Sequence, residues 1–271
     1  MAKKSFDVAP ASTGSFRAIH LYQLHQSRAQ PRAGRSARCS DSKEMEKVYT
    51  QRMAKTGAPG RYVYDEIFAS SPHGRCPLCA QRSVATLDHH LPKAHFPALA
   101  VAPLNLVSAC SDCNKAKLSS VPTRAEDVSL HPYYDDLGDQ VWLAAEVVEK
   151  RPTALRFYVV EPAVWDPVLA ARVRKHFRSL GLAALYASQS AEELVNIRYQ
   201  LTTLRASDPA AGVRDELARR AKSCAVGRPN GWRAAAYRAW QASLNQGGSF
   251  LKTGHKRRPN ASVVMVGRPT L

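Results

Sequence analysis

No apolar run in this chain approaches the roughly 20 residues that a membrane-spanning helix needs. The first ten residues, MAKKSFDVAP, carry charge without the apolar stretch of a secretory signal. Neither insertion nor export is expected, and a cytoplasmic location is. There is no Walker phosphate loop, so any nucleotide control would come from a second protein such as an ATPase. No internal repeat and no sustained heptad occur, which excludes a solenoid and a long coiled coil. No helix-turn-helix or zinc-finger reader is recognisable. Acidic residues are scarce. Asp and Glu number 22 against 39 Lys and Arg, a net charge of +17. Such a balance expects an anionic partner, nucleic acid ahead of an anionic membrane surface. With nothing apolar to insert, no membrane partner is expected.

What is present is enough for a core. The 271 residues, 45% of them hydrophobic, suffice for one large domain or two modest ones. The charge is uneven. Residues 1–75 carry +7, residues 76–135 are neutral, and residues 136–271 carry +10. This pattern fits flanks that hold a polyanion around a neutral centre that acts on it, although Arg-rich faces also serve as plain solvated surface.

Three regions are expected: a basic N-terminal arm with helices over 1–70, a compact module over 71–135, and a basic, mostly helical region with a basic tail over 136–271. Residues 15–26 suit a short helix or strand, and the basic stretch Ser27 to Ser40 a linker or mobile arm. Asp41 and Glu44 form a capping box for a helix to about Lys55, stopped by Gly57, Pro59 and Gly60. A second helical piece covers Tyr62 to Ala69. Within the module, 84–90 and 105–109 read as short strands and 112–119 as a helix. Val141–Glu149 and Ala154–Val160 read as a hairpin. Helical periodicity dominates 163–245, broken at Asp208-Pro209 and GRPNG (227–231), and VVMVG in the tail reads as a further strand. The fold class expected is α+β.

Four of the six cysteines form two CxxC pairs, Cys76/Cys79 and Cys110/Cys113. Each CxxC turn sets two sulfurs on one side of a tight loop, and two such loops complete a tetrahedron around Zn²⁺. Cytosolic thiols are reduced, so a closed structural zinc is expected ahead of disulfides. Cys39 and Cys224 read as ordinary thiols. Between the pairs stand Asp88, His89 and Asn105, and Asn114 follows the last cysteine. An imidazole titrates near neutrality and suits a general base, so His89 is the candidate. Asp88 and Asn114 offer hard oxygen donors to Mg²⁺ or Mn²⁺. Asn105 can bond the backbone beside His89 and fix the loop. Adjacent strand residues face opposite ways. Asp88 and His89 can therefore share a site only where the strand end kinks or the ligands lie between them.

The stretch LDHHLPKAHFP…PLNLVSACSDCNKAK resembles the HNH endonuclease motif, the ββα-metal fold in its zinc-stapled branch. The agreement runs through Asp88, His89, Pro92, Lys93, Asn105, Leu106, Val107, Cys110, Cys113, Asn114 and Lys117. The third letter of the motif is Asn114 instead of His, and an amide oxygen favours Mg²⁺ or Mn²⁺ over the later transition-metal ions such as Zn²⁺ or Ni²⁺. The resemblance covers about a quarter of the chain. It implies a ββα-metal module with a four-cysteine zinc, embedded in a mostly helical protein with a short β-hairpin. It implies His89 as base, Asp88 and Asn114 as ligands of the catalytic ion, and Asn105 as the residue that orients the loop. The implied activity is metal-dependent hydrolysis of phosphodiester bonds in DNA, with RNA an alternative substrate. The implied setting is bacterial restriction, phage defence or a mobile element. Two alternatives stand beside it: a catalytically silent zinc-stapled nucleic-acid-binding module, and a nuclease effector subunit activated by a partner protein.

Lys93 and Lys117 are candidates for phosphate contact within the module, and Arg214, Arg219 and Arg220 for a phosphate-lining helix face. A solvated face is an equal reading for those arginines. His90 reads as structural and His95 as a loop residue near phosphate or metal. His73 and His131 carry no assigned role. Tyr133 and Tyr134 suit either base stacking or packing.

Overall fold

The computed structural model describes residues 42–117, 121–149, 153–208, 211–247 and 250–251. The readings for 15–26, for the 27–40 arm with Cys39, for the capping residue Asp41 and for the tail strand VVMVG lie outside the described residues. What is described is α+β: seven helices and two antiparallel two-stranded hairpins.

Helix α1 (Ser42–Lys47) passes directly into a π-helical segment, Val48–Ala54. The wider turn directs Tyr49 and Met53 into the interior. The segment stops at Lys55, and Gly60 then packs on its backbone. A Cβ at Gly60 would stand 2.8 Å from the Arg52 carbonyl oxygen, so only glycine fits. Helix α2 (Arg61–Ala69) follows. Strands β1 (Thr86–His89) and β2 (Leu106–Ala109) pair antiparallel, with Asp88 opposite Val107 and His89 opposite Leu106. Helix α3 (Ser111–Lys117) opens between the second pair of cysteines.

Side-chain alternation puts this hairpin between two cores. Leu87 and Leu106 join Tyr49, Met53 and Ala100 beneath α1 and α2. Val107 and Ala109 join the larger core, which holds the four CxxC cysteines together with Phe157, Tyr186, Leu217 and Trp240. The second hairpin, β3 (Leu143–Val148) and β4 (Ala154–Val159), follows the period-2 rule: Leu155 and Phe157 are buried while Arg156 and Tyr158 are exposed.

Four longer helices follow among the described residues. Asp166 caps α4 (Pro167–Ser179), accepting from Val168 N–H at 2.8 Å and Leu169 N–H at 3.1 Å, with Pro167 at the first helical position. Gly181, at φ 62°, turns the chain into α5 (Leu182–Ser207). Then come α6 (Gly212–Gly227) and α7 (Trp232–Asn245), which pack on each other, with α5 against β4 and α7 against β3. The GRPNG loop does more than separate these last two helices. The Asn230 side-chain oxygen accepts from Trp142 N–H at 2.8 Å and Leu143 N–H at 3.1 Å, fixing the start of β3. Among the described residues no helix is long and apolar enough to cross a membrane.

One buried ion pair joins the segment after α3 to α4. Arg172, 2% exposed, meets Asp135 through two N–H···O bonds of 2.9 and 2.6 Å. The guanidinium also donates to the Val128 and Ser129 carbonyls, each at 3.0 Å. Such a pair resists cutting in half because a lone buried charge is costly. Asp135→Ala should therefore destabilise the fold by about 3–5 kcal/mol. Denaturant unfolding checks this, and a loss below about 1 kcal/mol would mean that the Arg172 charge reaches water.

Candidate functional site

The four CxxC cysteines are all buried, and their sulfurs lie within 4.8 Å of one another. A tetrahedron of Zn–S bonds near 2.3 Å needs sulfurs roughly 3.8 Å apart, so the cluster can hold a zinc ion with small adjustment. The knuckle backbone is built for thiolates. Arg82 N–H points at Cys79 Sγ and Cys113 N–H at Cys110 Sγ, both at 3.4 Å. Ala80 turns the first knuckle at φ 55°, donating its N–H to the Cys76 carbonyl. Arg82 pairs with Asp112 at 2.8 Å and so joins the two knuckles. The thiols share protons unequally. The hydrogen bond with Cys113 holds Cys79 well below the ordinary thiol range, while bonds to Cys76 and Cys79 push Cys113 well above it. A divalent cation relieves that competition by taking all four as thiolates.

On the other side of α3 lies a surface cleft of about 450 Å³. It runs along the outer edge of β1, since Thr86, Leu87, Asp88 and His89 all line it, and Lys93 and Asn114 close it. The strand-edge position answers the facing problem: Asp88 and His89 leave β1 in opposite directions yet both border the same space.

His89 is half-buried, and its Nε2 lies 2.9 Å from the Ala100 carbonyl oxygen. A carbonyl only accepts, so Nε2 carries the proton and Nδ1 keeps its lone pair. Burial, aided by the Lys93 and Lys117 charges, pushes the imidazole down to about 4 against the pull of Ala100. The ring is neutral at physiological pH. Asp88 is 7% exposed, and its Oδ2 receives Lys117 Nζ at 3.0 Å. Burial raises the carboxyl and the Lys117 charge opposes that rise. Lys117 also donates to the His89 carbonyl, so one ammonium ties α3 to both residues of the Asp-His pair.

Asn105 brackets the loop after β1. Its Oδ1 accepts from Leu91 N–H at 2.7 Å, and its Nδ2 donates to the Leu91 carbonyl at 3.0 Å and the Leu99 carbonyl at 3.1 Å. It lies outside the cleft lining and works through the backbone beside it. His90 is buried, its ring centroid 4.6 Å from that of His131. Tyr133 bonds Ser108 through its hydroxyl at 2.9 Å, and Tyr134 packs on His131, so both tyrosines are engaged internally.

The proposed phosphate contacts divide. Lys93 borders the cleft with its ammonium 4.9 Å from the Tyr49 ring centre. Lys117 is engaged by Asp88. On α6, Arg214 is exposed, Arg219 pairs with Glu216 at 2.8 Å, and Arg220 turns inward to Glu216, Gln200 and Tyr237. Two residues of the cleft carry no signal in the sequence. Tyr49 stands edge-on to His89, ring centres 4.4 Å apart, and Glu46 lines the same wall one helical turn earlier. Their i, i+3 spacing puts them on one helix face, but the facing strand lies about 40 residues further along.

Among known proteins, the chain is similar to Protein ea31 of Escherichia phage lambda, 33% identical over 158 residues. The match takes in 57% of this chain and 53% of the phage protein, so it spans about half of that relative's length. No protein-family model and no solved structure matches.

Purified protein should contain about one zinc per chain, and Cys110→Ser should lose it and misfold, because metal binding contributes folding free energy. Elemental analysis checks this. Folded, soluble protein without zinc would contradict it.

Proposed function

We propose that this protein is a metal-dependent HNH-type endonuclease that hydrolyses phosphodiester bonds in DNA. The observation that carries the reading is the cleft along β1, where an imidazole whose Nε2 donates to the Ala100 carbonyl borders the same space as Asp88, Asn114 and Lys93. A phosphodiester hydrolase needs those parts: a base for water, oxygen donors for a cation, and positive charge for the phosphate.

The donor set suits Mg²⁺ or Mn²⁺. A carboxylate and an amide oxygen at a solvent-open cleft leave room for water and phosphate, as these hard cations require. When bound, the ion would neutralise charge developing on the phosphate and its leaving oxygen. His89 takes the proton of the attacking water on Nδ1, and its Nε2–H bond to Ala100 holds the ring in that tautomer. Lys117 orients Asp88 and opposes the rise that burial causes in its carboxyl. Asn105 holds the loop from which Lys93 reaches the cleft. Glu46 and Tyr49 form the opposite wall. The excess positive charge of the chain supplies affinity for the polyanion. Similarity to a phage protein agrees with a phage or mobile-element setting.

One observation favours a second reading. Lys117 already occupies an Asp88 oxygen, which is the arrangement expected of a silent zinc-stapled module that grips nucleic acid without cutting. Plasmid nicking by the wild-type protein separates the two, and a pair of variants tests the register. His89→Ala should reduce plasmid nicking by on the order of a hundredfold or more while zinc content and DNA binding stay unchanged. His90→Ala, assayed at low temperature because His90 packs on His131, should keep most activity. An inactive His90→Ala beside an active His89→Ala would shift the register by one residue and remove the roles given to Asp88 and His89.

A further inference from the structure

A second cleft, of about 470 Å³, opens on the far side of the zinc knuckle, between it and the α6–α7 loop. It shares no lining residue with the cleft along β1. Its charged lining is one-signed. Arg75, Arg228 and Arg233 border it and no carboxylate does. Arg233 is partly neutralised by Glu193 at 3.6 Å and lies over the Trp232 ring. The other two are different. Arg75 donates one N–H to the Gln81 carbonyl at 2.8 Å, and Arg228 one to the Ala80 carbonyl at 3.1 Å. Neither forms an ion pair among the described residues.

That arrangement has a physical meaning. A guanidinium carries five N–H donors, and one bond to a backbone carbonyl fixes its position while leaving the others available. Two neighbouring knuckle carbonyls, Ala80 and Gln81, thus hold two arginines from distant parts of the chain at one opening. Gln81 is itself fixed, accepting from Trp232 Nε1 at 2.8 Å and donating to Gln189 at 2.7 Å. Uncompensated arginines held in this way lose little conformational entropy on meeting an anion, and a phosphate oxygen pair matches their fork. The cleft exceeds what a single phosphate fills, and it opens to solvent, as a continuous strand needs. The net charge of +17 makes a polyanion the fitting occupant.

We propose that this cleft, through Arg75 and Arg228, grips a phosphodiester backbone at a site separate from the catalytic cleft, so that it sets affinity and leaves the chemical step alone. The proposal rests on the nucleic-acid reading above, though not on cleavage. The experiment measures duplex DNA binding by fluorescence anisotropy across a salt series, without added divalent ion. It compares wild type, Arg75→Gln with Arg228→Gln, and a charge-matched control, Arg178→Gln with Arg205→Gln, two exposed arginines of α4 and α5 that line neither cleft. Glutamine keeps a donor for the knuckle carbonyls, and zinc content confirms folding. The cleft variant should lower the slope of log affinity against log salt by about 2, one for each arginine that no longer neutralises a phosphate. The control should lower it by much less. An unchanged slope, or an equal fall in the control, overturns the proposal. So does saturable binding of a free 5′-mononucleotide with unchanged DNA affinity. Should the double variant fail to fold, Arg228→Gln alone must lower the slope by about 1, and no change in it counts against the site. A cleft variant with the lowered slope, made in a protein that cuts nothing, keeps this site and forfeits the nuclease reading. A protein that cuts DNA, and whose cleft variant shows an unchanged slope, does the reverse.

Discussion

Four buried cysteines, close enough to hold a zinc ion, stand where the β1–β2 hairpin packs on the helical part of the fold. The first knuckle presents its carbonyls to the helical half: Leu78 accepts from His176 at 2.8 Å and Cys79 from the Tyr186 hydroxyl at 3.1 Å. The second knuckle starts α3, and α3 carries Asn114 to the β1 cleft and Lys117 to Asp88. The same cluster therefore sets the β1 cleft on one side and the arginine cleft on the other. A four-thiolate site binds no substrate, yet its geometry decides where the surrounding functional groups stand. The cysteines sit within the larger core.

Buried polar groups do the second part of the positioning. Among the described residues no fully buried side-chain nitrogen or oxygen lacks a partner. The pairs Lys117–Asp88 and Arg172–Asp135 place charges where water is scarce, and each is compensated by its partner and by backbone carbonyls. His131 uses both ring nitrogens, toward the Leu104 carbonyl at 3.1 Å and Tyr133 N–H at 3.3 Å. Low local dielectric strengthens such satisfied networks and fixes one arrangement. A loop held by Asn105, Lys117 and Ala100 is therefore rigid for local reasons.

The parts of the fold that were legible in the sequence are those set by short-range rules. CxxC spacing, apolar runs ended by proline, and helical periodicity located the knuckles, both hairpins and the helical stretch 163–245 with two of its three breaks; the turn at Gly181 between α4 and α5 was not read. Asp88, His89 and Asn114 line one cleft, and it was the motif resemblance that put them together, since strand alternation alone set Asp88 and His89 on opposite faces. What could not be read depends on distant partners. Tyr49 and Glu46 meet β1 across about 40 residues, and Arg228 meets Ala80 across 148. Lys117 looks like a phosphate contact in a one-dimensional motif, but the fold turns it to Asp88. Arg220 looks like part of a basic helix face, and Glu216 and Gln200 draw it inward. The π-helical widening at Val48–Ala54 has no compositional mark at all.

In the proposed function, a neutral His89 and two oxygen donors act on DNA within the β1 cleft. The most direct measurement is supercoiled-plasmid nicking by zinc-loaded wild-type protein with Mg²⁺ added or omitted. Nicking that appears only with Mg²⁺ is the predicted result. Folded, zinc-bound protein that binds the plasmid yet leaves it intact with both Mg²⁺ and Mn²⁺ would contradict it.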